Sequence, residues 1–365
     1  MRIALVGTRG IPANYGGFET FAEELSTRLA ARGHQVTVYC RTNNVSTRAK
    51  TYRGVRLVHL PTIPHKYFDT LAHTGFATLD LLFRRADVAL YCNGANAAYT
   101  WMPRLTGIPT ALNVDGLERQ RKKWNALARS WYGVSERWST WMPTAMISDA
   151  RVIEKYYLET YGKVSHCIAY GAQAGRVDSR ETLDRLGLEP GGYFLYVSRM
   201  EPENNALLVV KAFERTGTNK KLVMVGDAPY AAEYIRQIKA TKDPRILFPG
   251  SIYGKGYGEL QSHCFAYIHA TEVGGTHPAL IEAMARAVPV LYLCTPENEE
   301  VAGEAGIGFR RDETSLAEEI ERLCSLPQTA RDELAQASET VARTRYDWER
   351  VTDQYEELFR SLVKV

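Results

Sequence analysis

The chain has 365 residues, 45% of them hydrophobic and 24% charged, with a formal net charge of +3. That length exceeds what one hydrophobic core usually organises, so two domains are expected of an otherwise ordinary globular composition. A charge this small gives no argument for a nucleic-acid partner, and any basic surface must be local.

The opening Met1–Gly7 has too short an apolar run for a signal peptide. Arg2–Val6 reads as a buried parallel strand, and Gly7–Gly17 as a long loop. Phe18, Phe21, Ala22, Leu25 and Leu29 then recur at helical spacing, and Gly33 is placed to end that helix. Gln35–Tyr39 is the next strand, followed by Val55–Leu60, Val88–Tyr91, Thr110–Val114, Ala145–Ser148 and Ser165–Ala169, with helical patterns between several of them. After Tyr170-Gly171-Ala172 a polar, Gly-containing stretch through Asp184 reads as an interdomain linker. A second series has strands Tyr193–Val197, Lys221–Val225, Arg245–Phe248, Ala266–His269 and Val288–Leu293. Its helices begin near Asn205, Ala231, Gly258 and Pro278, and Ser315–Leu362 is helical. Such alternation predicts mainly parallel sheets with helices on both faces. The six cysteines are scattered without a C-x-x-C pair or clustered histidines, which argues against a zinc site or a disulfide framework. No apolar run approaches the length that spans a membrane, so the cytosol is the expected compartment.

Each half opens with a strand that delivers an arginine, Arg9 after the first and Arg199 after Tyr193–Val197. Ligands of open parallel sheets bind beyond those strand ends, so two Rossmann-like domains face to face would gather both arginines around something anionic. In the loop from Gly7 to Glu19, Gly16 and Gly17 open a helix whose free N–H groups and dipole suit a phosphate. Arg9 stands where a dinucleotide fingerprint has its second glycine, which counts against an NAD enzyme. Arg199, just before a helix, can clamp a diphosphate or simply pair with Glu201 or Glu203. The segment Glu272-Val273-Gly274-Gly275-Thr276-His277-Pro278 is a glycine turn leading into a helix with proline in its first turn. Glu282, one turn further, could accept hydrogen bonds from ribose hydroxyls or be an exposed helical glutamate. Asp115, with Glu118 near, follows the strand Thr110–Val114. It either stabilises positive charge that develops in a reaction or orients an attacking hydroxyl, or it caps the next helix. Arg119-Gln120-Arg121-Lys122-Lys123-Trp124, with Arg129, Trp131, Arg137, Trp138 and Trp141, is either a contact for anionic lipid or lipid-linked diphosphate, or a solvated basic face.

The opening loop from Gly7 to Thr20, the segment Asn113–Glu118, Tyr170-Gly171-Ala172, Pro202–Asn205, Gly274-Gly275-Thr276 and Tyr346–Glu349 together resemble the retaining GT-B glycosyltransferases of family 4. The likeness is strongest to a bacterial rhamnosyltransferase-like branch. The resemblance implies an α/β GT-B fold of two Rossmann-like domains facing a central cleft. Residues 1–172 would form the acceptor side, 185–345 the nucleotide-sugar side, and a helix at about 346–365 would return to the first domain. It implies that Gly16, Gly17 and Arg9 meet the donor phosphates, with Arg199 neutralising the diphosphate. It further implies that Glu282 holds the ribose, that the backbone of Ser251-Ile252-Tyr253 reads the base, and that Glu272, Gly274, Gly275, Thr276 and His277 line the donor. The donor would be a dTDP- or UDP-linked sugar, rhamnose favoured, and the acceptor a glycan or lipid-linked glycan. No cofactor or metal is implied, since the chain has no Asp-x-Asp motif. Two positions depart from the wider family: Asn204 stands in place of a lysine, and Gly274 in place of a glutamate that Glu272 could replace. They motivate one rival expectation, a non-catalytic nucleotide-sugar binder, while the shared architecture allows another, a same-fold epimerase or phosphorylase.

Overall fold

The computed structural model describes residues 1–364 except 14–15, 46, 64, 66–67 and 122–124. The chain divides into two compact units, Met1–Gly171 with Trp348–Val365, and Ala172–Asp347.

Among the described residues the first unit holds an eight-stranded sheet. Its strands are β1 (Arg2–Val6), β2 (Gln35–Arg41), β3 (Thr51–Tyr52), β4 (Val55–Leu60), β5 (Val88–Cys92), β6 (Thr110–Asn113), β7 (Ala145–Ser148) and β8 (His166–Cys167), in the spatial order 3-4-2-1-5-6-7-8. All pairs are parallel except β3–β4. The central strands are Val, Leu and Ala-rich because both faces are covered. Helices α1 (Gly17–Ala31), α2 (Asp69–Phe83), α3 (Trp101–Arg104), α4 (Ala126–Ser139) and α5 (Arg151–Tyr161) lie between them in sequence. Strand β3 is two residues in a tight antiparallel hairpin, too short to leave an apolar run. The expected strand Ser165–Ala169 pairs only at His166–Cys167.

The second unit holds six parallel strands among the described residues: β9 (Tyr193–Val197), β10 (Lys221–Val225), β11 (Ile246–Gly250), β12 (Ala266–His269), β13 (Val290–Leu293) and β14 (Ile307–Phe309), in the order 11-10-9-12-13-14. Its helices are α6 (Glu181–Leu186), α7 (Ala206–Glu214), α8 (Ala232–Ile238), α9 (Gly254–His263), α10 (Pro278–Ala285), α11 (Pro296–Val301), α12 (Glu313–Ser325) and α13 (Gln328–Arg345). Residues 173–184 are not a linker but part of this unit. The Ser179 hydroxyl and the Thr182 N–H both donate to the Glu259 carboxylate, at 2.6 and 2.8 Å, and the Val177 N–H donates to Ser262 Oγ. Those bonds hold Glu259 near pKa 2. The helix expected near Gly258 starts four residues earlier, and the C-terminal helical run is broken at Leu326-Pro327 and at Tyr346-Asp347.

The last helix, α14 (Trp348–Val363), belongs to the first unit. Its apolar face (Trp348, Val351, Tyr355, Leu358, Phe359) is buried, with Trp348 and Tyr355 against Phe21 of α1. Burying each such side chain contributes about 1.5–3 kcal/mol. On the rim, Arg28 and Arg32 of α1 pair with Glu349 and Asp353. A side chain at Gly171 would overlap the Trp348 indole, so this packing requires glycine there. Among the described residues no helix is long and apolar enough to cross a membrane.

Candidate functional site

In the first unit, the loop after β1 is folded back onto α1 by two carboxylates one turn apart. Glu19 Oε1 accepts from the Arg9 N–H at 3.1 Å, and Glu23 Oε2 from the Ala13 N–H at 2.6 Å. Glu19 is buried, and burial raises its pKa despite Arg9 and Arg41 nearby. Gly7 (φ 97°) and Gly10 (φ 108°) cannot carry a side chain: a Cβ would stand 2.5 Å from the Cys92 carbonyl or 2.6 Å from Cys40 Sγ. Gly16 flanks the start of α1 in extended conformation, where a Cβ would meet Glu19 Oε2 at 3.4 Å, and Gly17 is exposed. That exposure leaves the first residue of α1 open to solvent, as a bound anion requires. Asn14 and Tyr15, between these glycines, lie outside the described residues.

Asp115 sits just past β6 at φ +60°, a conformation that aspartate tolerates better than most residues. Its N–H donates to Asn113 Oδ1, and Asn113 Nδ2 donates to Tyr355 on α14. The Tyr170 hydroxyl reaches Asp115 Oδ1 at 3.4 Å. Burial, with Glu118 adding to it, pushes the Asp115 carboxyl up to about 6. Glu118 is paired with Arg121 at 2.5 Å. Capping does not explain Asp115: the next long helix, α4, is capped by Asn125, whose side chain accepts from Ala128 N–H.

In the second unit, Arg199 lies two residues beyond β9, partly exposed, with Nη2 3.6 Å from Glu201 Oε2. The Asn204 side chain donates to the Arg199 carbonyl at 2.7 Å, and the Tyr196 hydroxyl donates to the Asn204 carbonyl at 2.6 Å. Asn204 is thus turned inward, shaping the Arg199 turn. Gly226 (φ 130°), at the end of β10, packs so closely on Ser198 that any side chain would strike its carbonyl. Gly226 also lines a cavity of about 190 Å³, with Met200, Asp227, Ile235, Ile238, Lys239, Phe248, Pro249 and Gly250. Ser251, Ile252 and Tyr253 lead from β11 into α9, with Ser251 and Tyr253 exposed.

Glu282 is half-buried, and its Oε2 accepts the Tyr257 hydroxyl at 2.6 Å. Tyr257 also accepts from Gln261 Nε2 at 2.7 Å, and burial beside Glu282 raises its pKa far above the usual phenol value. The surface-glutamate reading therefore fails, since Glu282 is held by a buried donor. Glu272 is tied down as well, to Arg311 at 2.5 Å and to Asn205 Nδ2 at 2.7 Å. Gly274 lies against the His277 ring, which packs 4.8 Å from the His269 ring. Burial, then His277, keeps His269 neutral. Gly275, Thr276 and His277 are buried where α10 begins. Among the described residues no three His, Cys, Asp or Glu side chains converge as metal ligands would.

Two family models match, one in each unit: "Glycosyl transferase 4-like domain" over residues 16–167 and "Glycosyl transferases group 1" over residues 191–325. The chain carries two glycosyl transferase domains. Over its whole length it superposes on sucrose-phosphate synthase from Thermosynechococcus elongatus (TM-score 0.83, 19% identity, 99% of this chain and 98% of that one). It superposes similarly on Anabaena HepE in complex with UDP and glucose (TM-score 0.80, 15% identity, 99% and 100%). This is the GT-B fold. Among curated proteins it is 27% identical over 192 residues to the lipopolysaccharide 1,2-N-acetylglucosaminetransferase of Salmonella typhimurium. That match takes in 47% of this chain and 49% of the relative, so it spans about half the relative's length.

In the 4-like domain the basic stretch is less free than its sequence suggests. Arg119 folds onto buried Glu136 (3.1 Å) and the Tyr156 hydroxyl, Arg121 onto Glu118, and Trp131 packs edge-on against Trp138. Lys122, Lys123 and Trp124 lie outside the described residues, while Arg129, Arg137 and Trp141 are exposed. In the group 1 domain, Tyr257, Arg311 and Gly226 take part in the site without having been singled out in the sequence. Nothing in the local pattern marks Tyr257, since its partner Glu282 lies 25 residues on in another helix. Arg311 lies far from its partner in sequence, and nothing local marks it.

Proposed function

We propose that the protein transfers a sugar from a nucleoside diphosphate donor to a glycan or lipid-linked glycan acceptor, with retention at the anomeric carbon. Arg199 carries this reading: a partly exposed guanidinium at a strand's C-terminal end, beside a tight glycine turn and an open cavity. It would hold the departing diphosphate while the first turn of α10, in the same unit, offers N–H groups to its oxygens, an electrostatic stabilisation of the leaving group. Glu282, oriented by Tyr257, would accept from the ribose hydroxyls, and the cavity beside Gly250 with Ser251–Tyr253 would take the base.

In the transfer itself, the bond from the acceptor oxygen to the anomeric carbon forms on the face from which the diphosphate leaves. The hydroxyl proton passes to a departing phosphate oxygen. Asp115, ionised, would stabilise the positive charge that develops on the sugar ring. A dTDP- or UDP-linked deoxyhexose such as rhamnose remains the proposed donor by family resemblance, used without a metal. HepE, crystallised with UDP and glucose, and the Salmonella lipopolysaccharide enzyme support a nucleotide-sugar donor and an envelope-glycan acceptor. The decisive experiment is release of UDP or dTDP from candidate sugar nucleotides in the presence of envelope-glycan acceptors. Donor binding with no turnover on any acceptor would favour the non-catalytic reading.

A further inference from the structure

The strands of the second unit run parallel, and Arg199 and Gly274 follow the C-terminal ends of β9 and β12. Ligands of such sheets bind at those ends. The opposite end of this sheet also carries a cavity, of about 200 Å³, where the chain turns into the neighbouring strands β9, β12 and β13. Gly191, Phe265 and Pro289 line it from the three turns, and Arg331 and Asp332 from the start of α13. The length of β9 alone, five residues, puts roughly 15 Å between this cavity and Arg199.

Positive charge collects around it without a counter-charge. Arg176 lines the cavity and donates to the Ala287 and Ser262 carbonyls, which leaves other N–H groups of its guanidinium unspent. Arg331 donates to the Leu326 carbonyl and to Gln328 Oε1, with the same surplus. The Lys220 ammonium lies 4.0 Å from the centre of the Phe265 ring and donates to the Gly191 carbonyl at 2.8 Å, while the Arg331 guanidinium stands 5.2 Å from that ring. Among the described residues none of these three cations pairs with a carboxylate. Burial lowers the Lys220 pKa, and Arg331 lowers it further. The carboxylate in the lining, Asp332, is exposed and accepts from Gln328 Nε2 at 2.7 Å. His263 lines the cavity too, and its Nε2 is buried with no hydrogen-bond partner among the described residues. A buried polar atom left unpaired is costly, so it calls for a ligand or a water. Helix α13 begins beside it at Gln328 with no side-chain cap, and its dipole adds to the positive field. We propose that this cavity is a second anion site that binds a phosphate group, free or on a compact ester, between Arg176, Arg331 and His263. Two guanidinium forks match phosphate oxygens, and the His263 imidazole, with its proton on Nε2, supplies a further donor. Phe265 and Pro289 would pack on the carbon body of an ester. The site does not depend on the transfer reaction.

The test is calorimetric titration of the full chain with inorganic phosphate and with glycerol 3-phosphate, at constant ionic strength in chloride. Phosphate should bind the parent and Arg199→Ala alike. Tighter binding of glycerol 3-phosphate would assign an ester as the occupant, and equal or weaker binding the free ion. Arg331→Gln should weaken phosphate binding roughly 10-fold or more, the worth of a hydrogen bond to a charged group. Gln328→Glu, at an exposed position, should weaken it as much while keeping the acceptor that holds Arg331, because it gives that guanidinium a carboxylate of its own. Thermal unfolding of Gln328→Glu without phosphate should stay close to that of the parent. Absence of phosphate binding to the parent, or binding unchanged in both Arg331→Gln and Gln328→Glu, overturns the proposal. So does binding that Arg199→Ala abolishes, since the anion would then sit at the donor site. Failure here leaves the transfer reading standing, because no sugar donor or acceptor is present.

Discussion

The His277 imidazole occupies the volume into which a side chain at Gly274 would project. The His277 ring, backed by His269, thus fills the space beside Gly274 that a larger side chain would need. Gly274→Ala should cost about 1–3 kcal/mol through overpacking. Adding His277→Ala should recover much of that loss, because the two groups compete for one space. Thermal unfolding of the parent, both single variants and the double variant checks this, and strictly additive effects would contradict it.

Tyr257 and Glu282 form a second dependent pair. Glu282→Ala removes the acceptor of a buried hydroxyl and should destabilise the protein by about 1–3 kcal/mol. It should also weaken nucleoside diphosphate binding by roughly 10- to 150-fold, the worth of hydrogen bonds to a charged acceptor. Tyr257→Phe should cost comparable stability but only a small part of the affinity, since the carboxylate proposed to meet the ribose remains. Denaturant unfolding and calorimetry on the two variants separate brace from ligand contact.

Asp115 makes stability depend on pH in a defined direction. Its carboxyl titrates at about 6 in the folded chain against 3.8 ordinarily. Between those values the native state holds a proton that the unfolded chain has released, so stability falls as pH rises from about 4 to 6. The fall attributable to this group is roughly 3 kcal/mol. Asp115→Asn should flatten that stretch of the stability profile. If the ionised form serves the reaction, kcat/KM should rise through pH 6 in the parent and lose that step in the variant.

The strand and helix order was legible because buried parallel strands leave unbroken apolar runs and the helices between them keep a 3.6-residue period. What was not legible has a physical cause in each case. Residues 173–184 look like a linker because they are polar, yet the Arg176 and Ser179 side chains and the Val177 and Thr182 N–H groups all bond to Ser262 or Glu259, about eighty residues away. The glycines at 16, 17, 274 and 275 mark the ends of the right strands, but Gly226 passes unnoticed as a single residue after β10. Arg199 and Glu282 could be picked out by position. Their partners Asn204 and Tyr257 could not be assigned, because those contacts exist only once the strands and helices have packed.

The central claim is that Arg199 holds a nucleoside diphosphate without help from a metal. Calorimetric titration of UDP and dTDP into the parent and into Arg199→Ala, all in excess EDTA, tests it most directly. The account predicts that the parent binds at least one of the two with EDTA present. It also predicts that Arg199→Ala binds roughly 10- to 150-fold more weakly, the loss expected for charge-assisted hydrogen bonds. Binding that disappears with EDTA, or an Arg199→Ala variant that binds as the parent does, would contradict it.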